Sequence, residues 1–152
     1  DIARWAPSWV NYQIARYTLV DDEEIIKEIA EHGVNGFVYN IDTLRTAKGV
    51  AVLSFVKGKS GTYDKEYITS KGNSWEVFDA GIACQTFCLA AHAKGVGTCI
   101  MGVIDDKSIA KIVNLPEDET VAALIVYGYE DGEHAAPNKR KDVDEIMRFV
   151  DR

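Results

Sequence analysis

The chain has 152 residues, 47% of them hydrophobic and 27% charged, which suits one folded, water-compatible domain. A chain of this length buries roughly 68–70% of its unfolded surface, enough for a true core. Seventeen basic residues against 24 acidic ones leave a net charge of −7, which argues against general affinity for nucleic acid. A local basic cluster can still hold a small anion on such a protein.

Asp1 to Ala6 reads like the last turns of a helix already under way, so a segment is expected ahead of Asp1. Pro7 ends that piece, because the residue before a proline is pushed out of the helical region. Gln13 to Val20 follows as a short strand. Asp21 or Asp22 caps a helix with an acidic first turn and an apolar stripe of Ile25, Ile26, Ile29 and Ala30, and Gly33 stops it. Residues 34–46 read as loop with a short helix.

Gly49 to Val56 is almost continuously apolar and rich in β-branched residues, the pattern of a strand covered on both faces. Lys57 to Ser74 reads as a long surface loop. The longest helix runs from Ser74 to about Lys94. Being apolar on nearly every side, it is expected to be the buried central helix. Thr98 to Met101 is a brief strand, Asp105 caps a helix to about Val113, and Thr120 to Tyr129 is the clearest strand. Asp142 to Val150 closes the chain as a helix. This mixed order predicts an α+β fold, helices around a small sheet.

No apolar run reaches the ~18 residues that a membrane span needs, and no signal peptide opens the chain. Cys84, Cys88 and Cys99 are odd in number without framework spacing, so a reduced, cytoplasmic setting is expected. Cys84 and Cys88 share a helix face but lack a third ligand, and read as small hydrophobes rather than a metal site. His32, His92 and His134 share no spacing with them.

Four stretches can carry chemistry, and each has a plainer alternative. Gly95 to Gly102 contains a GxG, but a helix precedes it and a strand follows, the reverse of a dinucleotide fingerprint. It is either a helix stop with a tight turn or a small-residue loop that a ring can approach closely. Ser8, Asn11 and Gln13 put donors and acceptors on one short arc, or simply cap a turn. Lys139-Arg140-Lys141 is either a phosphate clamp or a solvated basic run. Asn40 either meets a ligand or caps a turn. With no catalytic triad, carboxylate pair or zinc pattern, a cofactor is expected to carry any reaction.

Three blocks in order, APSWVNYQ at 6–13, DAGIACQTFCLAAHAKGVGTCIMG at 79–102 and ALIVYGYEDGEHAAPNKRKDVDEIMRFV at 123–150, resemble the nitroreductase family of FMN-dependent oxidoreductases. The resemblance covers essentially the whole chain and implies a single nitroreductase-like domain over 1–152. Its sheet would be small and mostly antiparallel, and two copies would form an intertwined homodimer with FMN at the interface. It implies flavin contacts from Pro7, Ser8, Trp9, Asn11 and Gln13 of the partner copy. It further implies a ring-side loop of Ile100, Met101, Gly102 and Val103, a polar contact near Asn40, and a phosphate grip from Lys139 and Arg140. The implied reaction passes a hydride from NADH or NADPH through FMN to a nitroaromatic, quinone or flavin acceptor in two steps. A flavin-binding or storage protein without catalysis is the alternative on the same scaffold. Nothing in these 152 residues matches the family's N-terminal Arg-rich segment, and Ile14-Ala15 stand where proline and tryptophan usually follow Gln13.

Overall fold

The computed structural model describes residues 1–132 and 136–150; His134 lies outside them. Four strands, β1 (Ala15–Val20), β2 (Gly49–Val56), β5 (Gly97–Met101) and β6 (Glu119–Gly128), form one sheet in the order β1-β2-β6-β5. Every neighbouring pair in it is antiparallel. A small hairpin of β3 (Thr62–Tyr63) and β4 (Glu66–Tyr67) stands inside the expected 57–74 loop. The sheet is covered on both sides: α1 (Glu23–His32), α2 (Val38–Thr46) and α4 (Asp106–Ile112) lie on one face, and α3 (Ser74–His92) on the other.

The apolar run of β2 follows from its central place. Val50 and Val52 point into a core with Ile29, Leu44 and Ile109 from α1, α2 and α4. Ala51, Leu53 and Phe55 alternate to the opposite face and meet Ala80 and Cys84 of α3. The register shifts between Leu53 and Ser54, where Leu53 pairs with Ala123 but Ser54 with Val121. That bulge places Val121 in the same cluster as Leu124 and Val126.

Local signals in the sequence set most boundaries. Asp22 accepts from Glu24 N and Ile25 N at 3.0 and 3.1 Å and opens α1; Gly33 ends it. Asp105 does the same for α4, accepting from Lys107 N and Ser108 N at 3.1 and 3.0 Å. The hydrogen bond from the Ser108 amide is the main reason its carboxyl titrates below the usual carboxylate range.

Three expectations are corrected. The first residues form a 3-10 turn, Ile2–Trp5, packed against α3. The closing helix α5 spans only Val143–Ile146, and Met147 is already extended. It buries no residue, and a short helix without tertiary packing gains too little to propagate. Finally, α3 is buried on one face only. The sheet covers that face, while Val77, Gly81, Gln85 and Leu89, four residues apart, form an exposed stripe along the other.

Candidate functional site

The turn at 8–13 is held in a conformation that its residues do not favour. Val10, Asn11 and Gln13 have φ of 45°, 56° and 51°. Asn tolerates the left-handed region, whereas a β-branched Val there is a true outlier. Such strain persists only where the surroundings over-determine it. Ser8 Oγ accepts from Gln13 N at 2.8 Å and closes the turn on itself. Trp9 ties it to the rest of the fold: its backbone N–H donates to Asp79 Oδ2 at 2.9 Å and its indole N–H to Thr62 O at 3.1 Å. Its ring lies 4.9 Å from that of Trp75. Both polar hydrogens of Trp9 are therefore engaged within the chain.

Beside the turn opens a cavity of about 300 Å³, lined in part by Arg4, Pro7, Ser8, Gln13, Arg16 and Asp79. Among the described residues no ion pair involves Arg4 or Arg16, so both reach this cavity without a carboxylate bound to either. Arg16 instead donates to Gln13 O at 2.7 Å and Ala15 O at 2.9 Å.

The 100–103 loop leaves the end of β5, an edge strand. Met101 is 2% exposed and points into the core, so only its backbone can face a ligand. Ile100 is 52% exposed. Gly102 faces open space, with no atom within 4 Å of where a Cβ would stand. Asn40, buried on α2, donates from Nδ2 to Val103 O at 3.0 Å and fixes the loop's far end. Phe37 and Tyr39, both exposed, flank the start of that helix with ring centroids 5.5 Å apart.

Lys139 and Arg140 lie exposed ahead of α5. Arg140 Nη1 donates to Asn138 O at 2.8 Å, and no hydrogen bond among the described residues joins this segment to the turn or the loop. One copy thus joins Asn40 to Val103, while no hydrogen bond among the described residues links the 8–13 turn, the 100–103 loop and the basic pair to one another.

Sequence reasoning overlooked Asp79, Ser60 and Thr62, which anchor the turn. Asp79 had one signal, an acid on a helix of small and apolar residues. The two others belong to a loop whose contacts are with residues 19 and 53 positions away. The described residues contain no group of His, Cys, Asp and Glu fit for a metal. Cys84, Cys88 and Cys99 are free thiols. Burial, with Cys88 alongside, pushes the Cys84 thiol up to about 11. No helix among the described residues is long and apolar enough to cross a membrane.

Comparison with known proteins agrees with this architecture. MhqN of Bacillus subtilis strain 168, named as an NAD(P)H nitroreductase, is 24% identical over 177 residues, spanning 99% of this chain and 84% of its own. A nitroreductase family protein from Streptococcus pneumoniae TIGR4 superposes with a TM-score of 0.81 at 20% identity, covering 98% of this chain and 85% of that one. An FMN-dependent nitroreductase from Clostridium difficile R20291 gives 0.74 at 25% identity, over 97% and 82%. The profile of the nitroreductase family matches residues 1–129, most of the length, and the chain belongs to that family of oxidoreductases.

Proposed function

We propose that two copies of the chain bind FMN between them and oxidise NADH or NADPH, reducing a nitroaromatic, quinone or flavin acceptor in a second step. Support comes from the family match, from the FMN named for the Clostridium difficile relative and from the NAD(P)H named for MhqN. The observation that carries the reading is the open face at Gly102, where a flat ring can approach the backbone beside Ile100 while Asn40 holds Val103 in place.

When bound, FMN supplies a ring that takes up and gives back a hydride, so that one cavity serves reductant and acceptor in turn. The chain's own residues hold it and shield it. The 100–103 loop offers backbone N–H groups to the ring, and Lys139 and Arg140 offer cations to the phosphate. Pro7, Ser8, Asn11 and Gln13 face the ring from the second copy, with Trp9 as the anchor of their turn. The exposed stripe on α3 gives that second copy an apolar surface to cover. Closure by the second copy excludes water and strengthens every polar contact inside. Three free thiols favour a reducing setting such as the cytoplasm.

The test is a thermal melt with and without FMN. A ligand at a hundred times its Kd stabilises by about 2.7 kcal/mol, several degrees for a protein of this size. Arg140→Glu removes most of that shift. Anaerobic NADH or NADPH then bleaches the flavin absorbance. Binding without bleaching would favour storage, and no thermal shift in the unaltered protein would end the flavin reading.

A further inference from the structure

We infer that Asp79 is a positioning residue for the 8–13 turn, holding it in the strained shape in which it meets the cofactor. This rests on the reading that the turn contacts FMN, and it adds a residue outside the ring-side loop and the basic pair.

Asp79 sits on the second turn of α3, 3% exposed. A carboxylate at this depth needs hydrogen bonds from its surroundings, and no cation supplies them. One oxygen, Oδ2, takes two: the Trp9 backbone N–H and the Ser60 hydroxyl. These come from two different segments, so a single oxygen clamps the turn and the 57–61 stretch to α3. Hydrogen bonds to an ionised acceptor are roughly twice as strong as neutral ones. Trp9 is the residue just before the left-handed Val10, and the Ser8–Gln13 bond is local to the turn. Local bonds alone cannot decide where the turn points. The bond across 70 residues can.

Glu76, one turn earlier on the same helix face, does a different job and serves as the comparison. Its Oε1 accepts from Gly58 N at 2.6 Å and from Tyr67 Oη at 3.1 Å, binding the hairpin loop but not the 8–13 turn.

The experiment is amide hydrogen exchange on FMN-free protein, paired with FMN titration by fluorescence, in Asp79→Ala, Asp79→Asn and Glu76→Gln. In Asp79→Ala the amides of Trp9 to Gln13 exchange at least about tenfold faster while β2 and β6 keep their protection, and the FMN Kd rises roughly tenfold. Asp79→Asn keeps the shape and one acceptor oxygen, so it recovers part of both effects. It alone decides the matter should Asp79→Ala not fold: faster exchange confined to the turn supports the inference, and wild-type exchange overturns it. Glu76→Gln alters exchange at Gly58 and leaves the turn unchanged; equal loosening of the turn there overturns a specific role for Asp79. Faster exchange in Asp79→Ala with an unchanged Kd also overturns the inference, because the turn then moves without consequence for the cofactor. Failure of the unaltered protein to bind FMN is a separate result and refutes the reading beneath it instead.

Discussion

Asn40 and Val103 are 63 positions apart, yet the Asn40 amide donates to the Val103 carbonyl at 3.0 Å and links α2 to the loop after β5. The bond is directional in chemistry as well as in space, since only the nitrogen end of the amide can donate. Asn40→Ala leaves the carbonyl without its partner and costs about 1–3 kcal/mol in urea unfolding. Asn40→Asp costs more, because it sets a carboxylate oxygen against a carbonyl oxygen. A ranking with Asp milder than Ala would refute this account of the contact.

Gly49 opens β2 opposite Tyr127 of β6, and the tyrosine ring lies over it. A Cβ at position 49 would stand 2.5 Å from Tyr127 Cε2, closer than any real side chain tolerates. Gly49→Ala therefore destabilises by about 1–3 kcal/mol through overpacking. The same change in a Tyr127→Ala background costs far less, a coupling that a double-mutant cycle reads directly. Equal costs in both backgrounds would show that the ring is not what excludes a side chain there.

Where structure rests on residues close in sequence, it was legible. The Asp105 cap, the α1 cap narrowed to Asp21 or Asp22, the stop at Gly33 and the limits of β2 each follow from a few adjacent residues. Asn40 was legible as a polar residue of interest, but its two readings were a ligand contact and a turn cap, and its bond to Val103 was visible only in three dimensions. The same holds for Asp79, whose partners Trp9 and Ser60 lie 70 and 19 positions away. The β3–β4 hairpin escaped because two-residue strands show no periodicity. The closing helix expected over Asp142 to Val150 stops at Ile146, because α5 buries no residue and so gains nothing from tertiary packing by extending.

Alkaline pH should weaken the fold through two groups, the buried Cys84 and the half-buried Tyr17. Burial raises the Cys84 thiol from 9.0 to about 11 and the Tyr17 phenol from 10.0 to about 12, each with nearby thiols adding to the effect. Tyr17 Oη also donates to Ala83 O at 2.9 Å, a bond that needs its proton. Below about pH 9 both groups are protonated in the folded and unfolded chains alike, and the full stability is present. As pH rises towards 11 and 12 the unfolded chain gives up protons that the folded chain retains, so stability falls. Urea midpoints should decline across this window, and Cys84→Ala should flatten its lower part. Alkylation of Cys84 in the native protein, followed by mass spectrometry, should accelerate with a midpoint near 11.

The stripe on α3 gives the sharpest test of the two-copy site. Val77 and Leu89 are 61% and 59% exposed, an odd environment for apolar residues on the longest helix. Gly81 lies between them, and nothing in its own chain comes within 4 Å of where its Cβ would be. In isolation Gly81→Ala would stabilise the helix by about 1 kcal/mol, since glycine is a poor helix former. If a second copy packs against the stripe, the added methyl instead obstructs a close approach. The expected result is weaker association, with the dimer dissociation constant raised about tenfold, equivalent to about 1.4 kcal/mol. Leu89→Glu places a charge in the same surface and should yield monomers in light scattering, with FMN binding lost alongside. A Gly81→Ala protein that melts higher and keeps its mass at all concentrations would move the interface elsewhere, and the 8–13 turn of one copy would then have no reason to face the 100–103 loop of another.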